Sequence, residues 1–232
     1  EPFLVRDRAI NAFALPGGHV GVFLGLMAAT GSRDELASVL AHELAHVTQR
    51  HIARGITNSS RQSLLGLAAM ILGVMAASRS NSGDAPQAVI VGSQAAMAQG
   101  QLNFSRDMER EADRVGFGIH QQAGFAPAGM AAMFEKLDAA SRLNDSGAFP
   151  YLRSHPLTVE RLGEARSRLE ALPNARKTVE ATVDHALMQA RAKALMDTRV
   201  DAMRRLQAGD VQGSPVAIER AAASYAAALA SI

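Results

Sequence analysis

Ser38-Val39-Leu40-Ala41-His42-Glu43-Leu44-Ala45-His46-Val47-Thr48-Gln49-Arg50-His51-Ile52-Ala53-Arg54 is the stretch on which the fold turns. Its core is H-E-x-x-H. On a helix, residues four apart share a face, so His42 and His46 can aim their imidazoles at one metal ion. Glu43 follows His42 directly, and its carboxylate reaches the same side. Zinc held by two His and a third protein ligand keeps a position for water, whose pKa falls to about 7. Glu43 is then the candidate base for that water's proton. Leu40, Ala41, Leu44, Ala45 and Val47 make the helix apolar nearly all round, which predicts burial. Two buried imidazoles and a carboxylate need compensation, and a metal supplies it.

The third ligand must come from elsewhere in the chain. There is no cysteine, so every zinc ligand has to be His or carboxylate. Phe104 to Gly116 reads as a helix capped by Ser105, with Glu109 and Asp113 four apart on one face. Glu111 turns away from that face. Glu109 is the best third ligand. Asp113 suits a supporting role, accepting the free N–H of a ligating imidazole. Ala112 and Gly116 let this helix approach the His42 helix closely. His120 shares the Glu109 face but lies about 16 Å along the axis, too far to ligate.

On the N-terminal side, Phe3-Leu4-Val5, Ala9 to Leu15 and His19 to Leu24 read as three strands of a small antiparallel sheet. Pro16-Gly17-Gly18 makes a hairpin of the second and third. Asn11, Ala12, Phe13 and Ala14 are the stretch whose free edge can take an extended peptide by main-chain hydrogen bonds; an ordinary core hairpin is the plainer alternative. Ser32 caps the metal helix with Glu35 as capping-box partner, and Gly55 stops it near Arg54.

Downstream, residues 56–101 hold two small-residue helices around a polar loop, Ser78 to Pro86. They read either as a hairpin on the core or as a lid over the cleft. Met130, Met133, Phe134 and Leu137 form the apolar stripe of a further helix. Tyr151 to Thr158 is an extended loop around His155-Pro156, and Thr158 caps a helix to about Leu172. In that helix Arg161, Arg166 and Arg168 alternate with acids as on a solvated face, although Arg161 is also a weak candidate for the site. Residues 180–208 and 214–231 read as a helical hairpin, broken at Gly209-Asp210 and Gly213-Ser214-Pro215.

Composition narrows the function classes. A net charge of +2 with no Lys/Arg block argues against nucleic acid as a partner. With 4% aromatics and no Trp, Ala, Leu, Met and Val must fill the core, which favours helices. The apolar run Leu64 to Ala77 is shorter than the roughly 20 residues that cross a bilayer, so this chain reads as soluble. It opens Glu1-Pro2-Phe3, as a processed or trimmed chain would.

Asn11 to Gly18, His42 to His46, Glu109 to Asp113 and His155-Pro156 together resemble the HtpX / CAAX prenyl protease family of zinc metallopeptidases. Within it, the soluble BepA/LoiP-like periplasmic branch is most similar, because HtpX-type spanning segments are missing. The resemblance implies an α+β gluzincin fold, mostly helical with a small antiparallel sheet. The resemblance covers about residues 3–172, and the peptidase domain is read over 1–178 with 56–101 as a helical lid-like insertion. A helical tail follows over 179–232, similar to the start of a tetratricopeptide-like array. It further implies one Zn2+ per chain on His42, His46 and Glu109, with Glu43 as base. His155 reads either as a plain loop histidine with no role or as a residue that reaches the cleft, there as a donor to the oxyanion or as occupant of the open zinc position. The activity implied is endopeptidase cleavage of unfolded or misassembled envelope and outer-membrane proteins in a Gram-negative periplasm. Two other classes fit the same residues: a proteolytically silent chaperone or scaffold, and a zinc amidohydrolase acting on small amides.

Overall fold

The computed structural model describes residues 1–77, 85–143, 150–173, 175–176, 178–208 and 214–231. Most of the expected loop Ser78 to Pro86, and the expected breaks at Gly209-Asp210 and Gly213, lie outside these. Strands β1 (Pro2–Val5), β2 (Ala12–Leu15) and β3 (His19–Phe23) form one sheet in the order β1-β3-β2. The hairpin is antiparallel, Phe13 opposite Gly21, and turns through Gly17 and Gly18 at φ 90° and 84°, where only glycine sits without strain. The sheet as a whole is mixed rather than antiparallel: β1 runs parallel to β3, Phe3 opposite Gly21. The hairpin occupies one edge of β3, and two chain reversals bring β1 to the other edge in the same direction. β2 is therefore an edge strand, and Asn11 lies just before it.

Helix α1 (Leu24–Ala29) leads into α2 (Arg33–Thr48). Ser32 Oγ accepts from Glu35 N at 3.1 Å, as a cap should. The reciprocal bond goes one residue earlier than expected: Glu35 Oε2 accepts from Gly31 N at 2.7 Å and also from Lys136 Nζ. The helix does not run to Gly55. It ends at Thr48, Arg50 takes φ 54°, and α3 (His51–Ala77) starts at once with Gly55 inside it.

Helix α4 (Ala85–Gln122) joins two expected helices into one, so Ser105 is an interior residue rather than a cap. A Cβ at Gly116 would stand 3.0 Å from His42 Cα, so this glycine sets how closely α4 approaches α2. Ala112 beside it is wholly buried. Further out, α3 lies against α4, with Met97 over Gly66 and Val89 over Gly73. Leu64, Leu65, Ile71 and Leu72 on this pair are exposed.

Helix α5 (Ala128–Leu143) completes the core, with Met130, Met133, Phe134 and Leu137 buried as their spacing predicts. Leu44 of α2, by contrast, is 41% exposed, so the metal helix is apolar and buried on most but not all of its surface. A short α6 (Pro150–Ser154) precedes His155, and Thr158 caps α7 (Val159–Glu170). In the tail, Asp197 is extended and splits the expected 180–208 helix into α8 (Val183–Met196) and α9 (Val200–Gln207). α10 (Ala217–Leu229) packs on α8. α8 is tied to α1: Gln189 Nε2 donates to Ala28 O at 2.8 Å and to Thr30 O at 2.9 Å. Among the described residues no helix is long and apolar enough to cross a membrane.

Candidate metal centre

Helices α2 and α4 and the His155 segment bring four side chains to one point. His42 Nε2 lies 3.0 Å from His46 Nε2 and 3.3 Å from His155 Nδ1. The Glu109 carboxylate stands 3.4 Å from His42 Nε2, 3.3 Å from His46 Nε2 and 3.1 Å from His155 Nδ1. One ligand atom from each of the four fits within 4.8 Å of the others. Two ring nitrogens 3.0 Å apart can share one proton at most, and the remaining lone pairs converge on the same space. A cation satisfies all of them at once, so the donor set fits a bound metal ion.

Glu43 sits beside this set, buried to 1% exposure, and its Oε1 accepts no hydrogen bond. That oxygen is 3.4 Å from His155 Nε2. A buried carboxylate oxygen without a donor is costly unless a substrate or water proton comes to it.

Asp113 lies beside His42. Its Oδ1 is 2.9 Å from His42 Nδ1, on the side of the ring away from the cluster. The same carboxylate is gripped by Arg161, Nε to Oδ2 at 2.6 Å and Nη2 to Oδ1 at 2.8 Å. Arg161 Nη1 also reaches Glu109 Oε2 at 3.0 Å and donates to Pro156 O at 2.8 Å. Arg161 is thus buried in the centre and does not share the solvated face of Arg166. Arg161 lies in the first turn of α7, where its N donates to the Thr158 cap, and α7 lies against α4. Tyr151, missed by the sequence reading, is buried with its ring 4.7 Å from that of His155. His120 is outside the cluster, as expected, and bonds Asp34 O at 2.9 Å.

The electrostatics follow from this crowding. Burial opposes a charged His42, but the Asp113 and Glu109 carboxylates, which accept from the protonated ring, prevail and raise its pKa to about 9. Burial likewise opposes an ionised Glu109, yet His155, His42 and His46 hold it far below the ordinary carboxylate range. Asp113 is also lowered: burial works against it, and Arg161 and His42 outweigh that cost. Glu109 and Asp113 are thus held ionised, which favours a positive occupant beside them.

Two cavities flank the centre. One, of about 260 Å³, lies beside Glu109 and is lined by Leu102, Arg106, Arg110 and Pro156. The other, of about 240 Å³, is mainly apolar and joins Leu15 and Pro16 at the end of β2 to His46, Val47, Ile52 and Ile56.

Two imidazoles on one helix, a carboxylate on a second and a buried glutamate beside them define a metallopeptidase centre. The chain belongs to peptidase family M48, whose model matches residues 2–169. It is 37% identical over 192 residues to the beta-barrel assembly-enhancing protease of Escherichia coli K12, covering 82% of this chain and 38% of that protein. The protein of the same name from Yersinia pestis is 40% identical over 169 residues, covering 72% and 34%. The metalloprotease LoiP of Escherichia coli K12 is 32% identical over 169 residues, covering 73% and 62%. The chain therefore spans little more than a third of the length of the assembly-enhancing proteases it matches.

Proposed function

We propose that this chain is a zinc-dependent endopeptidase that cleaves unfolded or misassembled cell-envelope proteins, including outer-membrane proteins, in a Gram-negative periplasm. The observation that carries the reading is the meeting of His42, His46 and Glu109, from helices distant in sequence, beside the unpartnered Glu43 oxygen. The name of the similar beta-barrel assembly-enhancing proteases supports a protease linked to β-barrel assembly.

His42, His46 and Glu109 would hold the ion, and an all-nitrogen-and-oxygen donor set suits zinc. Bound zinc supplies a Lewis acid and lowers the pKa of the attacking water. Glu43 accepts that water's proton and delivers it to the leaving amine. The Asp113 carboxylate, 2.9 Å from His42 Nδ1, favours a proton on that nitrogen and so keeps the Nε2 lone pair free for the ion. The open edge of β2 receives the substrate as an added strand, and the apolar cavity at its end takes a side chain near the scissile bond. Of the two roles open to His155, the direction of its Nδ1 favours the resting occupant of the fourth position. In that state the enzyme is latent until the His155-Pro156 segment withdraws. Residues 56–101 serve as a lid-like insertion, and residues 179–232 begin a helical-repeat segment.

The test is hydrolysis of an unfolded protein such as casein by the metal-loaded chain, with chelator and zinc add-back controls. Cleavage lost in chelator, restored by zinc and absent in Glu43→Gln is expected. A Glu43→Gln chain that cleaves as well as the parent would sink the reading.

A further inference from the structure

The break between α2 and α3 has a chemical consequence at His46. On an unbroken helix His46 and His51, five residues apart, would lie about 140° apart around the axis. The left-handed Arg50 folds the chain back instead, and His51 Nδ1 meets His46 Nδ1 at 2.9 Å. His51 is 2% exposed. Its Nε2 lies 3.1 Å from Glu111 Oε2, and Arg54 Nη1 donates to the same oxygen at 2.7 Å. The four residues form one line from the cluster to the surface.

With His51 neutral, donors and acceptors along that line leave a single arrangement. Glu111, paired with Arg54, is a carboxylate and only accepts. His51 Nε2 must therefore donate. The Nδ1 of a neutral His51 then carries a lone pair and accepts. His46 Nδ1 must donate to it, which leaves the His46 lone pair on Nε2. That is the nitrogen 3.0 Å from His42 Nε2 and 3.3 Å from Glu109 Oε1. We propose that His51, braced by Glu111 and Arg54, is a positioning residue that fixes His46 as the Nδ1–H tautomer and aims its Nε2 at the metal. The inference rests on His46 being a ligand, as argued above. His42 is oriented by a separate device, Asp113 with Arg161.

The experiment uses the full chain and zinc alone. In the imidazole nitrogen spectrum of the metal-free parent at slightly alkaline pH, His51 should carry its proton on Nε2. A proton on Nδ1 overturns the inference, whatever the chain does to peptides. By chelator competition, His51→Leu should bind zinc about 10- to 100-fold more weakly, the usual effect of losing such a partner. His51→Asn, whose Oδ1 stands where Nδ1 stood, should recover most of that loss. Equal losses in both variants, or affinity within twofold of the parent in His51→Leu, would contradict it. A chain that binds zinc as expected yet cleaves no protein would sink the peptidase reading and leave this one standing.

Discussion

Arg161 and Asp113 form a buried, two-bonded ion pair, Nε to Oδ2 at 2.6 Å and Nη2 to Oδ1 at 2.8 Å. The same guanidinium lies 3.0 Å from Glu109 Oε2. One cation thus braces both carboxylates that face His42. Removing it leaves two buried carboxylates with imidazole partners alone. Arg161→Ala is expected to cost the metal-free protein on the order of 3–5 kcal/mol. Arg161→Lys should not restore it, because an ammonium cannot make the planar two-bonded contact. Denaturant unfolding of the three proteins measures this, and a loss below about 1 kcal/mol in Arg161→Ala would contradict it.

Gly116 governs the spacing of the two ligand-bearing helices. An added Cβ would meet backbone atoms, His42 Cα at 3.0 Å and Ala41 O at 3.1 Å, which cannot rotate aside. Gly116→Ala is expected to destabilise by roughly 1–3 kcal/mol. It should also weaken zinc binding, since Glu109 moves away from His42 and His46. Isothermal titration with zinc reads the second effect; unchanged affinity would argue against it.

The pH dependence of the metal-free protein has a defined sign. The folded state raises His42 to about 9 from 6.5. The stabilisation this gives, on the order of 3 kcal/mol, is full below about pH 6.5 and lost as pH rises through about 9. Glu109 and Asp113 are lowered, so their contribution is present above the ordinary carboxylate range, about 4, and lost as pH falls below it. Melting temperatures of chelator-treated protein should peak between about pH 5 and 6.5. Zinc-loaded protein should lose the alkaline decline, because ligation requires neutral imidazoles. A metal-free melting temperature that climbs from pH 6.5 to 9 would contradict the assignment.

His155 gives opposite outcomes for its two roles. As occupant of the fourth position it blocks water, and His155→Ala should then raise casein cleavage severalfold in zinc-loaded protein. As a donor to the oxyanion its removal should lower kcat by about 10²-fold or more. The His155 Nδ1 contact with His42 Nε2 at 3.3 Å supports the first outcome.

Much of the centre was legible because its signals are local. Helical spacing pairs His42 with His46 and Glu109 with Asp113; hydroxyl caps mark Ser32 and Thr158; a four-residue stripe marks Met130 to Leu137. What was hidden depends on tertiary contacts. The break after Thr48 carries neither Gly nor Pro; it rests on Arg50 at φ 54°, while Gly55, the expected stop, lies inside α3. Arg161 sits in an alternating charged stretch typical of solvated helices, and only the approach of α7 to α4 buries it. Nothing local told α4 to continue through Ser105, or β1 to pair with β3 rather than β2. The tail helix breaks at Asp197, whose carboxylate is taken by Arg8 from the N-terminal loop and by Arg199.

The most direct test is the structure of the zinc-loaded chain around the ion. One zinc per chain, with His42 Nε2 and His46 Nε2 at about 2.0–2.1 Å and a Glu109 oxygen at about 2.0–2.2 Å, is the predicted result. A replete sample in which the Glu109 carboxylate stays well beyond bonding range of an ion held by the two imidazoles would contradict it.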